Sequence, residues 1–263
     1  MKKLSIITIN FNNHAGLEKT LSSIFNQTNK DFEYIVIDGD SSDKSKDLIL
    51  KNKDKFSYWV SEPDHGIYHA MNKGIQQATG EYLLFINSGD TLFDNQVIEK
   101  SIEHLKDYGI IYGNIQKNEF HCDSSSLTPD LDFFLNDSLP HQATFIQRNL
   151  FNTMQYNESY KIVSDWEFFF VQIVLNKVSF KHINQTISLF DTTGISSQPE
   201  NLHILTAERN STYNKYLPGL TKFLQENKKL KARLDRLLHR RLNRLIKYIR
   251  NYLKTVLNIK KPF

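Results

Sequence analysis

Several acids and amides in this 263-residue chain stand at the end of an apolar run, where a strand would give way to a turn. "EYLLFINSGDT" halts at Asn87-Ser88-Gly89-Asp90, "LSIITIN" ends in Asn10, "FEYIVID" ends in Asp38, and "YWVSEPDHG" carries Glu62 and Asp64. Asp90 has two readings. It caps the following "NQVIEK" segment, or it holds a divalent cation that bridges phosphates. Mg2+ and Mn2+ prefer oxygen ligands and take one or two carboxylates plus phosphate oxygens. Gly89 would let the backbone come close to such a ligand. Asp38 can accept hydrogen bonds from a base or ribose, or form an Asx turn with Asp40 and Asp43. In "SEPDHGIYHAMNKG", Asp64 and His65 sit on a Pro/Gly loop, with Asn72 and Lys73 a helical turn or so beyond. Lys73 meets phosphate charge or belongs to a solvated helix face.

These groups need elements to deliver them. "LSIITIN", "FEYIVID", "YWVSE" and "YLLFINS" read as strands, and "GLEKTLSSIFNQ", "SKDLILKN", "YHAMNKGIQQA" and "QVIEKSIEHLKD" as the helices between them. The third helix is expected to end at Gly80. Strands alternating with helices predict an α/β fold with a mostly parallel central sheet flanked by helices. Ligands of such sheets bind beyond the carboxyl ends of the strands. Asn10, Asp38, the acids after the third strand and Asn87–Asp90 all fall there. Past Gly109, "GIIYGNI", "ATFIQ" and "KHINQTISLF" read as strands and "SDWEFFFVQIVLN" as a buried helix. Trp166, Phe168, Phe169 and Phe170 belong to the core, because aromatic side chains bury the most area.

With 40% hydrophobic residues the chain can bury a core. A single cysteine, Cys122, excludes an internal disulfide and fits a reducing compartment. The N-terminus lacks the uninterrupted apolar run and small-residue cleavage site of a signal peptide. No stretch approaches the ~20 apolar residues of a membrane span. A cytoplasmic protein, peripheral on the inner face of the membrane, is expected.

The net charge of +4 conceals an asymmetry. From Lys222 onward 14 Lys and Arg face only Glu226 and Asp235, a balance of +12, while the body keeps 19 basic and 27 acidic residues, a balance of −8. In this tail Leu230, Leu234, Leu237, Leu238, Leu242, Leu245, Ile249, Leu253 and Val256 recur at three- and four-residue steps. A long basic amphipathic helix over residues 218–263 is expected to lie on anionic membrane. A coiled coil making a homodimer is the competing reading, although the seam drifts from a strict heptad. Nucleic acid is not expected as a partner, since the body carries no recognised nucleic-acid module.

The blocks "SIITINFNN", "YIVIDGDSSD" and "SEPDHGIYHAMNKGIQQATGEYLLFINSGD", in this order and spacing, resemble the bacterial family 2 glycosyltransferases that build polysaccharide and lipopolysaccharide repeat units. The likeness is strong over Lys3 to Gly113 and continues more loosely through "LPHQATFI" and "VSDWEFFF" to "DTTGISS". It implies a GT-A-type nucleotide-sugar-binding domain over residues 1–217, with a donor half (1–113) and an acceptor half (114–217). It also implies inverting transfer from a nucleoside-diphosphate sugar, usually UDP-linked, to a glycan or lipid-linked acceptor. Thr8, Asn10, Asp38, Asp64, Asn72 and Lys73 are then the donor-nucleotide candidates, with Asn10 and Asp38 matching positions that line the nucleoside pocket. Asp90 matches the end of the acidic motif that holds Mn2+ or Mg2+ on the diphosphate. Ser88, Gly89, His141 and Gln142 are secondary substrate candidates.

Two positions depart from the family pattern. Many members have two or three acids where this chain has Asn87, Ser88 and Gly89, so Asp90 alone would hold the metal, or the requirement is relaxed. His69 stands where relatives commonly place Asp. Inverting transfer needs a base for the acceptor hydroxyl, and Asp165 in "VSDWEFFF" matches it. Asp165 or Ser164 as a helix cap is the plainer reading, and Glu167 is the neighbouring alternative base. A non-catalytic nucleotide-sugar-binding or scaffold protein competes with the enzyme. A nucleotidyltransferase is disfavoured, because no Gly-rich, basic phosphate loop follows the first strand.

Overall fold

The computed structural model describes residues 2–117, 120–125, 127–227 and 229–238. The chain divides into two compact units, residues 1–208 and 209–263. The first unit opens with β1 (Leu4–Asn10), α1 (His14–Phe25), β2 (Glu33–Asp38), α2 (Ser45–Lys51), β3 (Tyr58–Ser61), α3 (Ile67–Gln77), β4 (Tyr82–Phe85), β5 (Thr91–Leu92) and α4 (Val97–Ile102). It continues with β6 (Ile110–Lys117), β7 (Phe120–Cys122), α5 (Leu131–Asn136), β8 (Thr144–Gln147), α6 (Ser164–Phe169) and β9 (Phe180–Phe190). A further helix, α7 (Leu202–Tyr216), runs across the division.

Among the described residues nine strands form one sheet in the order β3-β2-β1-β4-β8-β6-β9-β5, with β7 on β6. The α/β class and the mostly parallel sheet flanked by helices are as the alternating pattern dictates. Strands β3, β2, β1 and β4 are all parallel. Antiparallel pairings enter with β8, which joins β4 to β6, and with the β5–β9 pair. Every residue of β1 is buried, as expected for a central strand covered on both faces. Leu17, Leu21 and Ile24 of α1 join Leu4 and Ile6 in one core, and each such side chain contributes about 1.5–3 kcal/mol.

Helix α3 stops at Gln77, with Ala78 extended, and not at Gly80. Gly80 serves close approach: a Cβ there would sit 2.6 Å from the Ser5 backbone nitrogen. The predicted aromatic helix begins as α6 and then widens into a π-helical stretch, Phe170–Leu175. Trp166, Phe168, Phe169 and Phe170 are all buried, so they form core and no acceptor platform.

In the second unit residues 220–227 and 229–238 are helical, and Phe223, Leu230, Leu234, Leu237 and Leu238 are exposed. The expected apolar positions Leu242, Leu245, Ile249, Leu253 and Val256 lie outside the described residues. No described helix is long and apolar enough to cross a membrane.

Candidate active site

The carboxyl ends of β1, β2 and β4 open into a cleft of about 790 Å3, large enough for a nucleotide-sized ligand. Asn10, Asp64, Ser88, Asp90, His141 and Asp165 line it, and all belong to the first unit.

Asn10 lines the cleft with an amide held by an acid. Asp38 is fully buried and does not reach the cleft. Its Oδ1 accepts from Asn10 Nδ2 at 2.7 Å and Ser41 Oγ at 2.6 Å, and its Oδ2 from Ser41 N at 3.0 Å and Ser61 Oγ at 2.7 Å. Asp38 therefore orients Asn10, whose Oδ1 is buried without a hydrogen-bond partner. Phe11, which the sequence reading missed, also lines the cleft and is 65% exposed. Asp64 packs beside Gly39 and accepts from Gly66 N at 2.9 Å.

Four candidates lie elsewhere. Thr8 sits deeper in β1, where its hydroxyl donates to Ile86 O at 2.7 Å and pairs with Tyr34 Oη at 3.0 Å. Asn72 turns away from the cleft and grips the loop before α6, donating to Tyr156 O and Glu158 Oε1, both at 2.9 Å. Lys73 pairs with Glu62 at 2.8 Å and donates to Pro63 O. Gln142 is buried outside the cleft lining.

A second acid lines the cleft beside Asp90, and it is Asp191. Antiparallel β5 and β9 pair Thr91 with Leu189, and two residues further along this register Gly89 faces Asp191. Asp191 N donates to Asp90 Oδ1 at 2.9 Å. Gly89 has φ +110°, and a Cβ there would meet Asp191 Oδ2 at 2.6 Å. Asp90 is only 5% exposed. Burial, with the Asp191 charge adding to it, raises its carboxyl from 3.8 to about 6, against the opposing charge of His141 and the Asp191 N–H. Two carboxylates at one strand end, one of them buried and costly to ionise alone, fit a divalent cation that takes its other ligands from phosphate. No set of three or more His, Cys, Asp or Glu side chains gathers for a metal among the described residues. Asp90 and Asp191 are the pair that would hold one.

Asp165 lines the cleft from the first turn of α6. Its Oδ1 accepts from Tyr68 Oη at 2.9 Å, and its Oδ2 lies 3.2 Å from His141 Nδ1. Burial favours the neutral acid, yet the hydrogen bond and charge of His141 and the Tyr68 hydroxyl hold this carboxyl below its ordinary value. For His141 burial works downward, but Asp165 and then Asp90 raise it. His141 Nε2 also meets Asn87 Nδ2 at 3.3 Å. Glu208 fixes the approach to α6 by accepting from Lys161 N at 2.7 Å, Ile162 N at 3.0 Å and Val163 N at 3.2 Å. The neighbouring Glu167 is fully buried and outside the cleft lining.

Residues 5–169 match the family described as Glycosyl transferase family 2. An uncharacterised glycosyltransferase of Mycobacterium tuberculosis is 32% identical over 207 residues, covering 75% of this chain and 78% of that protein. Among solved structures, S. aureus TarS 1-349 in complex with UDP-GlcNAc aligns with a TM-score of 0.59 at 19% identity, over 72% of this chain and 58% of that one. The mannosyltransferase PcManGT from Pyrobaculum calidifontis, in complex with GDP-Man and Mn2+, aligns with a TM-score of 0.55 at 14% identity, over 72% and 56%. With the family spanning most of the unit that carries the cleft, the chain belongs to the family 2 glycosyltransferases.

Proposed function

We propose that this glycosyltransferase moves a sugar from a UDP-linked donor, with inversion, onto a hydroxyl of a glycan or lipid-linked acceptor in cell-surface polysaccharide synthesis. The carrying observation is one cleft lined together by a nucleoside-type amide, Asn10, by the Asp90–Asp191 pair and by Asp165. UDP as the nucleotide is supported by the TarS complex with UDP-GlcNAc. Asn10 Oδ1 is a free acceptor for a base N–H, and the next residue, Phe11, offers an exposed ring to the same cleft. Asp90 and Asp191 would hold Mn2+ or Mg2+, which when bound stabilises charge on the departing diphosphate. Asp165, kept ionised, takes the proton of the acceptor hydroxyl as that oxygen bonds to the anomeric carbon. The bond from that carbon to the diphosphate oxygen breaks with its electron pair on the diphosphate.

The basic segment after residue 217 is read as the part that meets anionic lipid, bringing the cleft to a lipid-linked acceptor. The +12 balance and the exposed Leu230, Leu234, Leu237 and Leu238 support that reading.

The test is a screen of UDP-hexoses and UDP-N-acetylhexosamines with Mn2+, read as nucleoside-diphosphate release, with Asp165→Asn alongside wild type. The variant should keep donor binding while transfer falls ~10²-fold or more. Donor binding without release by wild type would favour a non-catalytic binding protein. Loss of donor affinity in Asp165→Asn would place that residue in the donor pocket.

A further inference from the structure

Asp165 occupies the first turn of a short helix, α6. The cap residue of α6, Val163, makes no side-chain hydrogen bond. Beside the Trp166 N–H of its own helix, the carboxylate receives two donors from two other elements, one on each oxygen. His141 from the turn after Pro140 meets Oδ2 at 3.2 Å, and Tyr68 from α3 meets Oδ1 at 2.9 Å.

Tyr68 is itself braced. It is 5% exposed, and its ring packs on Tyr156 with centroids 5.6 Å apart. Asn72, one turn along the same face of α3, accepts from Tyr156 N at 3.1 Å and donates to Tyr156 O at 2.9 Å. The "YHAMN" spacing thus joins the loop before α6 to the helix that carries the phenol. This gives Asn72 a use that donor binding does not.

We propose that Tyr68 is a positioning residue for transfer, holding the Asp165 carboxylate with His141 in the orientation that receives the acceptor's proton. The proposal rests on Asp165 being the base. Tyr68 keeps its own proton throughout the step, because burial first, and then the charge of Asp165, raise its phenol well above the ordinary value. The titratable groups facing Asp165 are His141, Tyr68 and Tyr156, with Glu167 on its own helix.

The experiment uses the full chain as wild type, Tyr68→Phe, Asp165→Asn and the double variant. Phe keeps the ring packing and removes only the hydroxyl. Turnover is measured across pH with the most active donor of a UDP-hexose and UDP-N-acetylhexosamine panel. Asp165 is titrated separately by carboxyl-carbon NMR, with Asp165→Asn giving the assignment. Tyr68→Phe should lower kcat about 10-fold at unchanged donor KM, the size expected for one hydrogen bond to a charged group. Its acid limb and the Asp165 titration should both move to higher pH, since a donor to the ionised form is lost. The double variant should be no slower than Asp165→Asn alone. Normal turnover in Asp165→Asn overturns the base reading and this proposal together. An inactive Asp165→Asn beside a Tyr68→Phe with unchanged kcat, unchanged titration or a raised donor KM overturns the positioning role alone.

Discussion

Replacing Asp90 with Asn should make the metal-free protein more stable while removing its hold on a divalent cation. Asp90 is 5% exposed, and burial lifts its carboxyl from 3.8 to about 6. The folded state therefore binds this proton more tightly than the unfolded chain does. The associated stability is fully present below about pH 4 and is lost as pH rises through about 6. The gap corresponds to about 3 kcal/mol carried against folding at pH 7.5 by the ionised side chain. Asn keeps an oxygen for the Asp191 N–H and abolishes the charge. Its new amide donors take back about 1 kcal/mol if left poorly paired. The net gain is about 2 kcal/mol, or roughly 4–8 °C in melting temperature for a chain of this size. Thermal melts of both proteins in EDTA at pH 4, 5.5 and 7.5 measure it, and the advantage of Asn should vanish at pH 4. Adding Mn2+ at pH 7.5 should raise the wild-type melting temperature and leave the variant's nearly unchanged. A variant less stable than wild type at pH 7.5, or an advantage that persists undiminished at pH 4, would refute the reasoning.

Gly89→Ala forces a side chain into φ +110° and within 2.6 Å of Asp191 Oδ2. It should cost ~1–3 kcal/mol of stability and, by displacing that carboxylate, weaken Mn2+ binding read by electron paramagnetic resonance. An unchanged Mn2+ titration would contradict the role given to Asp191. For the basic segment, the full chain should co-sediment with anionic liposomes, less so at high salt, where each charge acts over a shorter reach. A version ending near Leu220 should stay in solution. Equal sedimentation of the two forms, or dimerisation of a full-length chain that ignores the liposomes, would assign the segment to a coiled coil.

The sequence by itself determined the first half of the fold and the edge on which the site lies. Buried runs such as "LSIITIN" and "YIVID" alternate with amphipathic stretches, and this leaves a parallel sheet as the way to bury both. The carboxyl ends of those strands, and so Asn10 and Asp90, follow directly. Asp165 was legible only through a resemblance of motifs, since an acid in the first turn of a helix is equally well a cap.

Only the tertiary structure decided which way side chains turn and which distant residues meet. Thr8 and Asn10 share a face of β1, but two residues of depth separate a hydroxyl closed off by Tyr34 and Ile86 from an amide at the cleft. Asn72 and Lys73 are neighbours in sequence, and α3 packing sends one to the loop at Tyr156 and the other to Glu62. Asp191 lies 101 residues from Asp90, in a segment with no acidic motif of its own. Its place beside Asp90 follows from the β5–β9 register, a long-range pairing that local periodicity does not encode. Sequence pattern records which residues prefer burial and extension. The partner across a strand pair is chosen by the packing of the whole sheet, and that packing supplies the second carboxylate opposite Gly89.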